Sequence, residues 1–250
     1  VKLFKVGDRV SRASAPIGAY SEKQVVPENK LVLVPDGVSD EVASCITLKG
    51  ITAEYLLHRA YPLKKGDKIL YHAAAGGLGQ ILCAWANSMG AKVIGTVGSK
   101  EKEEIAKKNG CHHVINYTEK NFVEEIEKIV GKNGIDVVYD GVGLTTFEGS
   151  IEVLKIRGMM VAFGNASGYV DTIDVKKHIN AKGLFFTRPS IAHYTIEREE
   201  LEESAKKVFE AILSGKFKIE ISKKYSLDEV KQAHEDLENR LLTGPAVIIP

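Results

Sequence analysis

A glycine-rich segment, A-A-A-G-G-L-G at positions 73–79, is the sharpest chemical signal in the sequence. It follows the apolar run I-L-Y-H and precedes a stretch with helical periodicity, so it lies where a strand turns into a helix. Gly76 and Gly77 leave backbone N–H groups open to a pyrophosphate, and Gly79 allows the helix to pack closely on the strand. The segment therefore predicts a dinucleotide site, with Ala74 standing where the usual G-x-G-x-x-G pattern has its first glycine.

The end of the following strand indicates which dinucleotide is bound. NAD sites carry an Asp or Glu there, about 20 residues after the glycines, which holds the ribose 2′-hydroxyl. In this sequence the stretch from Gly95 to Lys102 reads G-T-V-G-S-K-E-K, with no acid at the strand end and two cations just beyond it. Lys100 or Lys102 could bind a 2′-phosphate, so the pattern favours NADPH over NADH. The alternative is that these lysines belong to the solvated face of a charged helix.

The sequence lacks the residues that several other classes of enzyme require. The Tyr-x-x-x-Lys spacing of a short-chain dehydrogenase occurs only at Tyr61 and Lys65, before the glycine segment instead of after it. A methyltransferase would bring an acid to the end of the second strand. The close grouping at 111–113, C-H-H, supplies too few ligands for zinc, so no metal site is predicted. Neither a G-x-S-x-G elbow nor a Walker loop is present, and no catalytic side chain is assigned.

The elements that must position these residues alternate between strand and helix from about Gly66 onward. Strands are predicted at 68–72, 91–97, 114–116, 135–140, 159–163 and 184–187, and helices at 78–89, 100–109, 122–130 and 145–154. Alternation at this spacing predicts an α/β fold with a doubly wound parallel sheet of the Rossmann type. The runs at 137–139 and 159–163 are apolar without alternation, as in central strands that helices cover on both faces.

The two ends of the chain differ from this central pattern. The first fifty residues combine short apolar alternations with turn-forming prolines and glycines, which predicts a β-rich segment. Beyond Pro189, the apolar spacing from Leu201 to Leu213 predicts a long amphipathic helix. A short helix near 227–237 and a strand at 246–249 follow it.

These patterns predict a second domain that is discontinuous and built from both ends of the chain. We expect residues 1–50 to form part of a catalytic domain, residues 51–188 to form the NADPH-binding Rossmann domain, and residues 189–250 to return to the catalytic domain. The sequence starts at Val1 and enters a strand-like alternation at once. We therefore expect the catalytic domain to be incomplete at its N-terminus.

Composition restricts the partners and the compartment. The 250 residues are 44% hydrophobic and 27% charged, which is ordinary for a globular protein. With 34 Lys and Arg against 33 Asp and Glu, bulk charge indicates neither a nucleic acid nor an anionic membrane as partner. No apolar run approaches the roughly 18 to 20 residues of a membrane span. Three widely spaced cysteines predict no disulfide framework and favour a reducing, cytoplasmic compartment.

Seven segments, one of which contains the glycine segment, together carry a family resemblance over the whole length of the chain. They are L-K-G-I-T at 48–52, H-A-A-A-G-G-L-G at 72–79, G-A-K-V-I-G-T-V-G at 90–98, V-I-N-Y at 114–117, V-V-Y-D-G-V-G at 137–143, F-G-N-A-S-G at 163–168 and T-R-P-S at 187–190. By these segments the chain resembles the zinc-independent, ζ-crystallin-like quinone oxidoreductases of the medium-chain dehydrogenase/reductase superfamily. The resemblance implies a discontinuous GroES-like catalytic domain around a central Rossmann domain.

The resemblance also implies a set of NADPH-binding residues. Lys102, Tyr117 and Arg240 match the positions that clamp the 2′-phosphate in the family. The positions that line the pyrophosphate and nicotinamide halves correspond to Thr52, Gly76, Gly77, Leu78, Gly98, Phe163 and Ser190. Lys49 stands in the segment where zinc-dependent relatives carry a cysteine ligand, and it is a weak candidate for a general acid.

The activity implied by the resemblance is reduction of a quinone by NADPH, through hydride or single-electron transfer. Two alternatives stay open. One is an enone or alkenal reductase on the same fold, and the other is an NADPH-binding protein without turnover, as among crystallin relatives. The family also implies a homodimer, which would protect the apolar edge strand L-F-F at 184–186 by pairing it with a second copy.

Overall fold

The computed structural model describes residues 1–14, 16–239 and 241–250. Its internal contacts divide the chain into two units. The first unit comprises Val1–Glu54 and Ile191–Pro250, and the second comprises Tyr55–Ser190. Both ends of the chain thus contribute to the first unit, and the alternating central segment forms the second.

The N-terminal segment contains less β-structure than its sequence pattern predicts. Two short strands, β1 (Val10–Arg12) and β2 (Leu31–Leu33), pair antiparallel. Helix α1 (Asp40–Tyr55) then begins within the segment expected to be β-rich. Buried residues occur on most sides of α1, so its sequence lacks the one-sided apolar spacing by which an amphipathic helix is predicted.

The second unit contains the predicted alternation of strands and helices. In chain order its elements are β3 (Lys68–His72), α2 (Gly77–Ser88), β4 (Lys92–Val97), α3 (Lys100–Lys108), β5 (His113–Asn116), α4 (Phe122–Val130), β6 (Ile135–Asp140), α5 (Phe147–Val153), β7 (Leu154–Ala162) and β8 (Phe185–Thr187). The strands form one parallel sheet in the order β5-β4-β3-β6-β7-β8. The doubly wound parallel sheet is confirmed, and its strand order reverses direction at β3, which has β4 on one side and β6 on the other.

The central strands of this sheet are buried because helices pack on them. Every residue of β6 is buried, and so are all but the first residues of β3 and β4. An apolar cluster that includes Leu70, Ile94 and Val138 holds the strands and the helices together. Continuous apolar runs in the sequence therefore correspond to strands covered on both faces.

The C-terminal segment of the first unit contains α6 (Arg198–Leu213), β9 (Lys223–Ser226), α7 (Val230–Glu238) and β10 (Ala246–Ile249). The long helix, the short helix and the terminal strand are confirmed, whereas β9 is not predicted by the sequence pattern. A Cβ added at Gly50 of α1 would lie 2.4 Å from a methyl carbon of Val208 on α6. These two helices can pack this closely because position 50 carries no side chain.

All three cysteines are buried free thiols. Burial raises the pKa of Cys45. A hydrogen bond with Cys111 and burial together raise the pKa of the Cys83 thiol well above its ordinary value. Among the described residues, no helix is both long enough and apolar enough to cross a bilayer.

The carboxylate of Asp236 connects α7 to β9 within the first unit. It accepts hydrogen bonds from Lys223 Nζ at 2.7 Å, Tyr225 Oη at 2.5 Å and Gln232 Nε2 at 2.7 Å. The Lys223 ammonium, followed by the other two donors, lowers the pKa of Asp236 to about 2. The ionised form of this side chain therefore stabilises the fold.

We expect Asp236→Asn to lower the stability of the protein in a pH-dependent way. Because the folded pKa lies below the unfolded value, the stabilisation is complete above pH 4 or so and is lost as the pH falls toward 2. Urea unfolding at a series of pH values would measure the difference between the two proteins. The exposed neighbour Asp228 provides the control, and Asp228→Asn should change stability little at any pH. A difference that is independent of pH would contradict this role of Asp236.

Candidate functional site

Most of the residues predicted to bind a dinucleotide follow the carboxyl ends of strands in the parallel sheet. Gly76, Gly77 and Leu78 follow β3, Gly98 follows β4, Tyr117 follows β5, Phe163 follows β7, and Ser190 lies three residues beyond β8. Since carboxyl ends of parallel strands lie at one edge of a sheet, the second unit brings these positions to a common edge. In doubly wound sheets, ligands bind outside the carboxyl ends of the strands where the strand order reverses, which in this sheet is at β3.

The glycine segment makes a tight turn between β3 and α2. Its positive φ, 61°, occurs at Ala73 and not at Ala74, where the missing first glycine would stand. Ala74 is fully buried instead, and a Cβ added at Gly95 of the neighbouring strand would lie 2.6 Å from its methyl group. The turn therefore tolerates alanine at 74 because a small buried side chain fits between β3 and β4.

Gly79 sets how closely α2 approaches this turn. A Cβ there would lie 2.6 Å from the carbonyl oxygen of Ala74 and 2.7 Å from that of Ala73. No side chain caps the N-terminus of α2, and its first turn contains no acid. The first N–H groups of the helix thus keep their hydrogen-bonding capacity for an anionic group such as a pyrophosphate.

The ends of β4 and β5 meet beside the start of α3. A Cβ added at Gly98 would lie 2.5 Å from the Tyr117 hydroxyl, so the phenol lies against the glycine backbone. Tyr117 is 48% exposed. Lys102 lies in the first turn of α3, and within the described ranges no carboxylate makes an ion pair with it. A hydroxyl and an ammonium group next to a glycine can together bind a phosphate monoester.

Two carboxylates, Glu101 and Glu103, also lie in the first turn of α3. Hydrogen bonds from its own backbone N–H and from Ser99 lower the pKa of Glu101, and Lys100 and Lys102 lower it further. This acid follows the strand end by several residues and belongs to the helix. It does not occupy the position at the strand end where NAD sites carry their acid.

On the other side of β3, along the same edge of the sheet, the Phe163 ring follows β7, and we call this aromatic surface the Phe163 wall. The ring stacks on Tyr71, with centroids 6.0 Å apart and planes inclined by 28°. A Cβ at Gly141 would lie 2.9 Å from the Phe163 ring, and a Cβ at Gly164 would lie 2.4 Å from the Gly141 carbonyl oxygen. Gly141 and Gly164 were not predicted as site residues, although both lie in segments that carry the family resemblance.

A buried chain of polar side chains lies beneath these loops. Asp140 Oδ2 accepts hydrogen bonds from Thr146 Oγ1 at 2.7 Å and Ser150 Oγ at 3.3 Å. His72 contacts Ser150 Oγ through Nε2 at 3.0 Å and Thr96 Oγ1 through Nδ1 at 2.9 Å. Burial lowers the pKa of His72, while the Asp140 charge opposes that shift. His72 is thus a core histidine with both ring nitrogens paired.

The remaining predicted residues lie outside the second unit or outside the described residues. Thr52 is on α1 in the first unit, and its hydroxyl donates to the carbonyl oxygen of Leu48 at 2.9 Å. Lys49 is on the same helix, partly exposed. Arg240 falls outside the described residues. Within the parts of the chain that the structure describes, no three His, Cys, Asp or Glu side chains are grouped as metal ligands would be.

Comparisons with known proteins agree with this fold. Residues 77–212 match the family model described as zinc-binding dehydrogenase. The chain is 43% identical to a 2-haloacrylate reductase of Burkholderia, over 99% of this chain and 75% of that protein. It is 44% identical to quinone oxidoreductase 1 of Escherichia coli, over 100% of this chain and 77% of that protein.

A solved structure of Escherichia coli quinone oxidoreductase complexed with NADPH superposes with a TM-score of 0.95, at 43% identity and over 100% of this chain and 77% of that chain. The parallel sheet and its glycine turn define a nucleotide-dependent dehydrogenase fold. The chain belongs to the quinone oxidoreductase family of the medium-chain dehydrogenase/reductase superfamily. The resemblance recognised in the sequence is thereby confirmed.

We expect Gly79→Ala to destabilise the protein by about 1–3 kcal/mol, because its methyl group would overlap two backbone oxygens. Chemical denaturation followed by circular dichroism would measure the loss. Asn87→Ala, at an exposed position of the same helix, is the matched control and should be neutral or slightly stabilising. A Gly79→Ala protein as stable as the Asn87→Ala protein would show that α2 can move away from the turn without cost.

Proposed function

We propose that this chain binds NADPH at the carboxyl edge of its parallel sheet and reduces quinones. The observation that carries the proposal is the glycine turn at 73–79 together with Gly98 at the end of β4. No acid stands at that strand end, and Tyr117 from the end of β5 and Lys102 from the first turn of α3 lie beside it. The solved relative from Escherichia coli is described as complexed with NADPH. Quinone oxidoreductases at 41–44% identity over the full chain support the acceptor class.

Each predicted residue has a place in this proposal. The N–H groups at Gly77 and Leu78 bind the pyrophosphate, and Gly76, whose own N–H donates to the carbonyl oxygen of Ala73 at 2.9 Å, leaves room for it because it has no side chain. Lys102 and Tyr117 bind the 2′-phosphate beside Gly98. From the family resemblance we add Arg240 to the phosphate contacts, and Thr52, Phe163 and Ser190 to the nicotinamide half.

NADPH would supply the hydride, or a single electron, from its nicotinamide ring, and the protein would contribute binding and orientation. A quinone is flat and accepts a hydride without a dedicated protein acid, because the resulting hydroquinone anion takes its proton from solvent. For this reason no general acid is assigned, and Lys49 remains a weak candidate. The proposal covers both the one-electron and the two-electron mode.

A second candidate acceptor is a conjugated acid or enone. It is favoured by the 2-haloacrylate reductase that is 43% identical to this chain. Hydride would then add to the β-carbon of the double bond, and the α-carbon would take a proton. An NADPH-binding protein without turnover is the remaining alternative.

A parallel titration with NADPH and NADH, followed by addition of an acceptor, tests the proposal. We expect NADPH to bind more tightly than NADH, and benzoquinone to cause loss of the absorbance of the reduced nicotinamide. Faster oxidation with 2-chloroacrylate than with benzoquinone would favour the second candidate. Binding without oxidation by either acceptor would favour the alternative without turnover, and no binding of either nucleotide would overturn the proposal.

We expect Lys102→Ala to weaken NADPH binding by roughly ten- to a hundredfold while leaving NADH nearly unchanged, because only NADPH has the 2′-phosphate. The matched control is Lys107→Ala on the same helix, whose ammonium pairs with Glu103 and Glu104. This control should bind both nucleotides like the wild type. Equal losses for NADPH and NADH in Lys102→Ala would contradict the phosphate assignment.

We also propose a homodimer, paired through the edge strand β8, and a cytoplasmic location. Among the described residues β8 pairs only with β7, and Phe185 on it is 57% exposed. Pairing with a second copy would cover this apolar edge. The three free buried thiols agree with a reducing compartment.

We expect sedimentation velocity to show a dimer for the wild type and a monomer for Phe185→Lys, because a charge at this edge opposes pairing. Val175→Lys alters another exposed apolar residue of the same unit and is the control that should remain dimeric. Dimers that survive in Phe185→Lys, or a monomeric wild type, would contradict the edge-strand interface.

A further inference from the structure

We propose that Asp140 is a positioning residue for the nicotinamide half of the dinucleotide site. Its buried carboxylate fixes the backbone of the loop at 141–143 against the Phe163 wall, and the polar chain Thr96–His72–Ser150 holds that carboxylate in place. This inference rests on the proposed function, because it assigns a role within the same site.

Asp140 fixes the loop through its side chain. Oδ1 accepts hydrogen bonds from the backbone N–H groups of Val142 at 2.7 Å and Gly143 at 3.0 Å. The residue is fully buried, and no cation in the described part of the chain makes an ion pair with it. Two N–H groups and two hydroxyls therefore compensate its charge, and losing them would leave a buried charge uncompensated.

The backbone of Asp140 holds the segment that carries the Phe163 wall. Its carbonyl oxygen accepts from the N–H of Phe163 at 2.9 Å and from that of Gly164 at 3.3 Å. The two loops are joined further by the N–H of Ser167, which donates to the carbonyl oxygen of Val142 at 2.8 Å. One residue at the end of β6 thus determines the spacing between the Gly141 backbone and the Phe163 ring.

The polar chain has a defined direction of hydrogen bonding. Because the Ser150 hydroxyl donates to Asp140, its oxygen accepts the proton on His72 Nε2. His72 Nδ1 then carries no proton and accepts from the Thr96 hydroxyl. Burial lowers the pKa of His72, which keeps the ring neutral in this arrangement.

The hydrogen-bonded side chains from Thr96 to Asp140 connect the ends of β4, β3 and β6, where the strand order of the sheet reverses. Thr96 lies on β4, two residues before Gly98, while His72 ends β3 and Asp140 ends β6. The two halves of the proposed site are therefore connected by side chains beneath the loops. A carboxylate that served only the stability of the fold would not need to lie at the strand end beneath the proposed site.

Asp136 provides a matched comparison, because it lies on the same strand at the opposite edge of the sheet. It is also buried, accepts from the N–H of Lys68 at 2.7 Å, and pairs with Lys155. Within the described ranges, the hydrogen bonds and the ion pair of its side chain involve Lys68 and Lys155, neither of which lies in a loop of the proposed site. Removing either carboxylate should destabilise the strand, but only Asp140 should affect the nicotinamide half.

The experiment compares Asp140→Ala, Asp140→Asn and Asp136→Ala by titration with NADPH and with 2′,5′-ADP, which has the 2′-phosphate but no nicotinamide. In Asp140→Ala we expect the Kd for NADPH to rise by about tenfold or more and kcat with benzoquinone to fall by a similar factor. The Kd for 2′,5′-ADP should stay within about twofold of the wild-type value. Asp140→Asn retains an oxygen that can accept from Val142 and Gly143, so it should restore most of the NADPH affinity. Asp136→Ala should bind both probes like the wild type.

Equal weakening of both probes in Asp140→Ala, or wild-type binding of both, would overturn the proposal. If Asp140→Ala does not fold, Ser150→Ala replaces it, since it keeps the carboxylate but removes one hydroxyl that orients Oδ2. The expected result is then a smaller rise in the NADPH Kd, about two- to fivefold, with 2′,5′-ADP again unchanged, and an equal effect on both probes would overturn the inference. A wild-type protein that binds neither probe would instead refute the proposed function, so the two failures are distinguishable.

Discussion

The close approach of α2 to the end of β3 is the contact on which the candidate site depends. At Gly79 the helix backbone lies so near the carbonyl oxygens of Ala73 and Ala74 that no side chain fits between them. This contact directs the first N–H groups of α2 over the carboxyl edge of the sheet. Without it the helix would stand farther from the strand, and its N-terminus would no longer face the position where the strand order reverses.

A second constraint is the placement of polar groups inside an apolar sheet. Asp140, His72, Ser150 and Thr96 are all buried, and burial of such groups is costly unless each finds a partner. They satisfy one another in a single chain that follows the strand ends from β4 to β6. The same hydrogen bonds that make their burial tolerable also fix the loops above them, so stability and site geometry are coupled in this region.

The regular part of the fold could be predicted because its signals are local. Apolar runs identified β3 and β6, and Gly76 and Gly79 identified the turn that follows β3. Helix α1 was missed because buried residues lie on most of its sides, and β9 was missed because its sequence, K-K-Y-S, is mostly polar.

The candidate site was predictable to a smaller extent. The glycine turn and Lys102 could be inferred from residue type and position, whereas Tyr117 required the family resemblance. The contact between Gly141 and the Phe163 ring, and the pairing of His72 with Ser150, join residues far apart in sequence. Neither contact leaves a periodic or local signal, so only the three-dimensional structure reveals them.

The burial of the cysteines has a consequence for an enzyme that handles quinones. Quinones are electrophiles that alkylate thiolates by conjugate addition, and the rate of such a reaction depends on the fraction of thiolate and on access to it. Cys83 lies fully buried in α2, and its hydrogen bond with Cys111 and its burial raise the pKa of its thiol. All three thiols are buried, so the proposed quinone substrate has little access to them.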